Sequence, residues 1–284
     1  MEKFVSVILP NYNHEAYLEE RLNSIFNQTY QSFEVIILDD CSTDESLEIL
    51  KPYETHPKVA HLISNKKNSG SPFIQWQKGL ELAKGDLIWI AESDDFCDLN
   101  FLETQIEVLQ SADVAVAKTM AYLKGTSINE VRHPIFDSDK QKDSILYCPI
   151  LNVSSVLFKA SEFETKKNNF YTGFNIIGDR VFYYEFFRNS KIIYNKNTTS
   201  YFRQSESNTS KLEGRSLPYY SQYLKEHYQF IQNAKTIEPI RIKPFVKVYY
   251  TRFFNRVRDR VTKRQKFSIN YIKLFMVYKF KKLI

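Results

Sequence analysis

Hydrophobic positions open the chain as a continuous run from Phe4 to Leu9, closed by Pro10-Asn11, a pattern that predicts a short strand buried on both faces. After the turn Pro10-Asn11-Tyr12-Asn13 the period lengthens. Leu18, Leu22, Ile25 and Phe26 fall on one face of a helix, with Asn13 placed to cap it. The alternation then repeats: Phe33 to Leu38 reads as strand, Ser42 to Leu50 as helix, and Val59 to Ile63 as strand. Asn65 to Gly70 is a polar loop. Phe73 to Ala83 is helical, and Lys84-Gly85-Asp86 turns the chain into a fourth strand, Leu87 to Ala91. Strands alternating with helices in this way predict an α/β class, Rossmann-like, mostly parallel sheet flanked by helices.

From about 112 to 210 the pattern is mixed, with short strands around Val114 to Lys118 and Val153 to Phe158 and a helix from Asp179 to Asn189. Beyond Pro218 basic and aromatic residues interleave. The expected division is a domain over 1–212, with halves 1–100 and 101–212, and a basic, aromatic, helical extension over 213–284.

Composition narrows the picture. The chain has 284 residues, 43% apolar and 25% charged, enough to bury a substantial core and too apolar for disorder. Cys41, Cys97 and Cys148 are odd in number and widely spaced, which fits core thiols in a reducing compartment. No signal-like segment opens the chain and no apolar stretch is long enough to span a bilayer, so a cytoplasmic protein is expected, either free or peripheral on the inner face of the membrane. His14, His56, His61, His133 and His227 show no metal-ligand spacing and read as surface or core residues. Trp76 and Trp89 read as packing residues.

The chemistry concentrates at two strand ends. Ile36-Ile37-Leu38 runs into Asp39-Asp40, and Ile88-Trp89-Ile90 leads to Glu92-Ser93-Asp94-Asp95. In open parallel sheets ligands bind outside the carboxyl ends of the strands, so both clusters would face one crevice. Either pair alone also fits a helix cap. Two pairs crowded together repel unless a cation lies among them, and hard carboxylate oxygens suit Mn²⁺ or Mg²⁺ shared with an anionic ligand such as a diphosphate.

These segments carry a resemblance. Val5 to Asn13, Ser24-Ile25-Phe26-Asn27-Gln28-Thr29-Tyr30, Phe33 to Asp40, Ser42-Thr43-Asp44 and Gly85-Asp86 to Asp95 resemble, in order and spacing, the nucleotide-binding half of the family 2 glycosyltransferases, which have the GT-A fold. The resemblance implies an inverting, nucleotide-sugar-dependent hexosyltransferase, with UDP-sugar the expected donor. It places Pro10 and Tyr12 at the base and Asp40 on the uracil ring, with Asp39 either beside it or structural in the turn. Glu92-Ser93-Asp94 becomes the counterpart of the family's Asp-x-Asp: Asp94 would ligate the metal bridging the diphosphate, and Glu92, where Asp is usual, would lie toward the ribose. Asp95 would support the loop or cap the next helix. Ile177-Gly178-Asp179-Arg180 and Tyr201-Phe202-Arg203 resemble later family segments. By that match Asp179 is the general base, its alternative being a helix cap, and Arg203 contacts the diphosphate or forms a structural ion pair. The sequence departs at Gly178, where the family has Glu, and at Ser205, where it often has His.

Between Arg241 and Lys282 stand fourteen Lys and Arg against one acid, Asp259, interleaved with Phe245, Tyr249, Tyr250, Phe253, Phe254, Phe267, Tyr271, Phe275, Tyr278 and Phe280. Such segments suit an anionic membrane surface, and lipid-linked glycans are expected acceptors beside free glycans. No nucleic acid is expected as partner. Two other classes stay open: a catalytically inactive member that binds nucleotide sugar, and a basic nucleic-acid-binding α/β protein.

Overall fold

The computed structural model describes residues 2–123, 126–131, 145–147, 150–164, 169–204, 212 and 214–283; His133, Cys148 and Ser205 lie outside them. The chain forms two units, residues 1–206 and 207–284.

The first unit is built on a nine-stranded mixed sheet. Strands β1 (Val5–Asn11), β2 (Phe33–Asp39), β3 (Val59–Ser64) and β4 (Leu87–Ile90) are mutually parallel in the order β3-β2-β1-β4. They are linked through α1 (Glu15–Phe26), α2 (Ser46–Leu50) and α3 (Pro72–Leu82). Every residue of β1, β2 and β4 is buried, which is why these strands read as unbroken apolar runs. On one face Leu18, Leu22 and Ile25 of α1 pack against Val7, Leu9, Val35 and Trp89. On the other, Trp76 of α3 meets Phe182 edge-on at 5.5 Å.

Beyond β4 the sheet turns mixed. Strand β5 (Phe96–Cys97) pairs with β9 (Ile192–Arg203), β6 (Val114–Leu123) with β7 (Thr126–Val131), and β8 (Val156–Lys159) lies antiparallel between β4 and β6. Helices α4 (Phe101–Leu109) and α5 (Gly178–Phe187) belong to this half. The twelve-residue β9 lacks a continuous alternation, because Asn195-Lys196-Asn197 separates its strand-favouring ends, Ile192-Ile193-Tyr194 and Thr198 to Phe202.

Two local expectations are corrected. Asn13 does not cap α1: the N-cap position is His14, without a side-chain capping bond. Asn13 instead adopts φ 55°, and its Oδ1 accepts from Thr43 N at 2.7 Å. α2 begins at Ser46 rather than Ser42 because residues 42–45 are held as a turn by other partners, Asp39 bonding Ser42 and Glu15 bonding Glu45.

The second unit contains α6 (Leu217–Ile237), α7 (Val246–Arg258) and α8 (Ile269–Leu283). His227 is fully buried, stacks on Phe253 at 3.6 Å and pairs with Tyr249 Oη at 2.8 Å. Phe254 stacks on Tyr278 at 3.6 Å. A capping box between Thr262 and Gln265 shapes the turn before α8. Among the described residues no helix is long and apolar enough to cross a membrane.

Candidate active site

Because β1 lies between β2 and β4 and all three run the same way, their carboxyl ends share one edge of the sheet. Asp39-Asp40 and the turn Glu92 to Asp95 therefore leave the sheet on either side of Asn11. A direct link joins the loop after β1 to the second cluster: His14 Nδ1 and Ser93 Oγ are 2.7 Å apart. Burial lowers the His14 pKa from its ordinary value, against the raising charges of Asp95 and Asp44. Nothing in the sequence but its place after Asn13 marked this histidine.

The first cluster is committed to its own loops. Asp39 accepts from Asn11 Nδ2 at 2.8 Å and from Ser42 N at 3.0 Å, closing a turn in which Cys41 takes φ 64°. Asp40 accepts from Asn65 Nδ2 at 2.7 Å, Ser69 N at 2.9 Å, Ser69 Oγ at 2.7 Å and Gln75 Nε2 at 2.8 Å, so its carboxylate anchors the 65–75 segment. Pro10 is buried in β1, whereas Tyr12 is 44% exposed and presents its ring at this edge.

The second cluster divides its acids among different tasks. Glu92 Oε1 accepts from Trp76 Nε1 at 2.5 Å, so the longer side chain at this position is held by α3. Burial, and then the charge of Asp94, push Glu92 up to about 8. Asp95 accepts from Asn152 Nδ2 at 2.9 Å and from Arg203 N at 3.0 Å, and burial, then Asp94, raise it to about 7. It supports the loop, one of its two expected roles. Asp94 differs: its carboxylate takes no hydrogen bond from another described residue, while its carbonyl accepts from Arg203 Nε at 2.9 Å. Burial raises its pKa too. An acid raised by burial beside other acids gains from a cation, which restores the charged form.

No group of three or more metal-ligating side chains occurs among the described residues. One open carboxylate is nonetheless the donor set that suits Mn²⁺ or Mg²⁺ held mainly by substrate phosphates rather than by a protein cage.

Two arginines frame the acid turn. Arg203 lies over the rings of Tyr17, Tyr122 and Phe96, at 4.6, 5.0 and 5.3 Å, and is ion-paired with Glu20. Arg21 was not anticipated: it sits on the buried face of α1, fully shielded, 4.8 Å over the Trp89 ring, and none of its guanidinium nitrogens meets a hydrogen-bond acceptor among the described residues. Its charge acts on Asp95, Asp94 and Glu92 through a medium of low dielectric.

Asp179 stands in the first turn of α5, its Oδ1 accepting from Arg180 N at 2.7 Å. Its neighbour explains a departure from the family pattern. A Cβ on Gly178 would come within 2.3 Å of Phe73 Cδ2, so the Phe73 ring fills the space a side chain at 178 would need. Phe73 packs edge-on against Trp76 at 5.0 Å, and Trp76 reaches Glu92, so packing through α3 connects the start of α5 to the acid turn. Gly178→Ala is expected to lower stability by about 1–3 kcal/mol, more than the ~0.5–1 kcal/mol that alanine gains over glycine in a helix. Thermal melts check this: the loss should largely disappear in a Phe73→Ala background, and an unchanged melting temperature refutes the steric account.

The edge defined by these strands, with one open acid beside a turn of buried ones, lies where open α/β sheets place their ligands, outside the carboxyl ends of β1, β2 and β4. Residues 6–187 match glycosyl transferase family 2, and the chain belongs to that family. It is 32% identical over 198 residues to the poly(ribitol-phosphate) β-N-acetylglucosaminyltransferase TarP of Staphylococcus aureus, covering 66% of this chain and 59% of that one. The crystal structure of residues 1–349 of S. aureus TarS with UDP-GlcNAc superposes with a TM-score of 0.71 at 20% identity, covering 99% of this chain and 81% of that one. A mannosyltransferase of Pyrobaculum calidifontis with GDP-Man and Mn²⁺ gives 0.59 at 15% identity, covering all of this chain and 88% of that one. At these identities the two structures establish the GT-A fold alone. Alignments to the first three curated relatives span between 38% and 59% of those proteins' lengths.

Proposed function

We propose that this chain is an inverting glycosyltransferase that moves a hexose-type sugar from a nucleoside diphosphate sugar, UDP-sugar first, to a hydroxyl of a glycan or lipid-linked glycan in surface polysaccharide or glycolipid synthesis. The observation that carries the reading is Asp94: alone among the acids of its turn, it offers a carboxylate without a hydrogen bond from another described residue, at the edge where β1, β2 and β4 end. Membership of family 2 supports the reading, as does the similarity to TarP, a poly(ribitol-phosphate) β-N-acetylglucosaminyltransferase.

The residues divide the work. Tyr12 supplies a flat face for the base and Pro10 shapes the wall beneath it. A uracil N–H would take the place of one of the four donors now on Asp40, while Asp39 keeps the turn. Ser93, held by His14, and Glu92, held by Trp76, line the approach to the ribose. Mn²⁺ or Mg²⁺ on Asp94 would supply neutralising charge to the departing diphosphate. Arg203 keeps the Asp94 carbonyl and the Asp95 carboxylate in register, so the open acid points one way. Asp179 takes the proton of the acceptor hydroxyl as its oxygen attacks the anomeric carbon opposite the leaving group. The basic extension holds the enzyme on an anionic membrane surface, where lipid-linked acceptors reside.

The test is turnover. Purified chain with Mn²⁺ and a panel of UDP- and GDP-sugars, with and without glycan acceptors, should release nucleoside diphosphate. Binding without release from any donor would convert the reading to a non-catalytic member, and no binding at all would remove it.

A further inference from the structure

The extension carries its apolar residues in two separate sets. Tyr249, Tyr250, Phe253, Phe254 and Tyr278, half of the aromatics that alternate with the cations, are buried within residues 207–284 and make its core. They are unavailable to any surface. A different set stays outside: Phe267 at 89% exposure, Ile269 at 71%, Ile272 at 55%, Met276 at 45% and Val277 at 49%.

Helix α8 sorts these by position. Leu274 and Tyr278, one turn apart, turn inward, while Ile269, Ile272, Met276 and Val277 recur at intervals of three, four and one on the exposed side. A surface helix with one apolar face has found its partner, and one with a second, exposed apolar stripe has not. Lys273 stands within this stripe, and Lys263, Arg264 and Lys266 are exposed just before it. From Arg260 to the end of the sequence there is no acid at all.

Charge and apolarity together choose the occupant. Nucleic acid would satisfy the cations and leave isoleucine, methionine and valine in water. A second copy would cover the stripe at the cost of bringing two strongly basic segments together. A bilayer with anionic headgroups accepts both, the apolar side chains at the acyl boundary and the ammonium and guanidinium groups among the phosphates. We propose that the face formed by Phe267, Ile269, Ile272, Met276 and Val277, ringed by Lys263, Arg264, Lys266 and Lys273, docks on an anionic lipid surface. This rests on the membrane attachment proposed above and assigns it to one face of one helix.

Sedimentation of the full chain with vesicles tests it. Phosphatidylcholine vesicles containing phosphatidylglycerol should carry the protein down, pure phosphatidylcholine should not, and added salt should weaken the binding. The double variant Ile272→Glu/Met276→Glu, both exposed, should bind at least about tenfold more weakly, because apolar burial and local charge are lost together. Its melting temperature and its nucleotide-sugar turnover with a soluble acceptor should match wild type. Equal sedimentation of wild type and variant would overturn the assignment of this face. So would a concentration-dependent dimer in light scattering that the variant dissolves, which would give the stripe to a second copy. Turnover and sedimentation fail independently: vesicle binding without sugar transfer removes the enzyme reading and leaves the docking face standing.

Discussion

Asp94→Ala is expected to reduce nucleotide-sugar turnover by at least about 10³-fold, on the scale of losing the principal charge stabilisation of a leaving group. A single substitution suffices because no neighbour can take over. Glu92 is held by Trp76 and Asp95 by Asn152 and Arg203, so neither is free to swing into the vacated position. Mn²⁺ affinity in the presence of UDP, measured by calorimetry, should fall in parallel, while the melting temperature in chelator should hold or rise as one carboxylate leaves a crowded, buried turn. Near-normal turnover would overturn the assignment of Asp94 to the metal. Asp95→Ala makes the contrast: it strips partners from Asn152 and from the Arg203 backbone, so its main effect should be lost stability.

Asp179→Asn separates the base from the cap. Asparagine keeps the oxygen that accepts from Arg180 N, so a residue that only stabilises the first turn of α5 would tolerate the change. A general base would not, because the amide cannot take a proton. The expected result is a fall in kcat of about 10²–10⁴ with donor affinity preserved. Single-turnover rates and donor binding by calorimetry report the two quantities separately. Lost donor binding would show that Asp179 belongs to the nucleotide site instead.

Much of this site was legible before any coordinates. Asp39, Asp40, Glu92, Ser93 and Asp94 stand out because each cluster directly follows an apolar run, and such runs are what strands buried on both faces require. Asp179 and Arg203 were reached only through resemblance. His14 leaves no mark in residue order, because it has no metal-ligand spacing and its partner is a serine seventy-nine residues away. Arg21 was hidden by its charge. Its spacing, three after Leu18 and four before Ile25, puts it on the apolar face of α1, but its charge argues for solvent, and only the packed structure shows it buried over Trp89. Gly178 departs from the family pattern in residue order, and only the packed structure shows the Phe73 ring filling the space beside it.

The parallel run of β1, β2 and β4 and the edge that carries their acids can be read from residue order, because strand–helix alternation and double-sided burial leave a local trace there. How those acids differ depends on the folded packing. Hydrogen-bond donors reach Glu92 and Asp95 from 16, 57 and 108 positions away, and no local pattern encodes which carboxylate they leave open. The distinction of Asp94 is therefore a property of packing: its neighbours are satisfied by distant partners, while its carboxylate takes no hydrogen bond from another described residue.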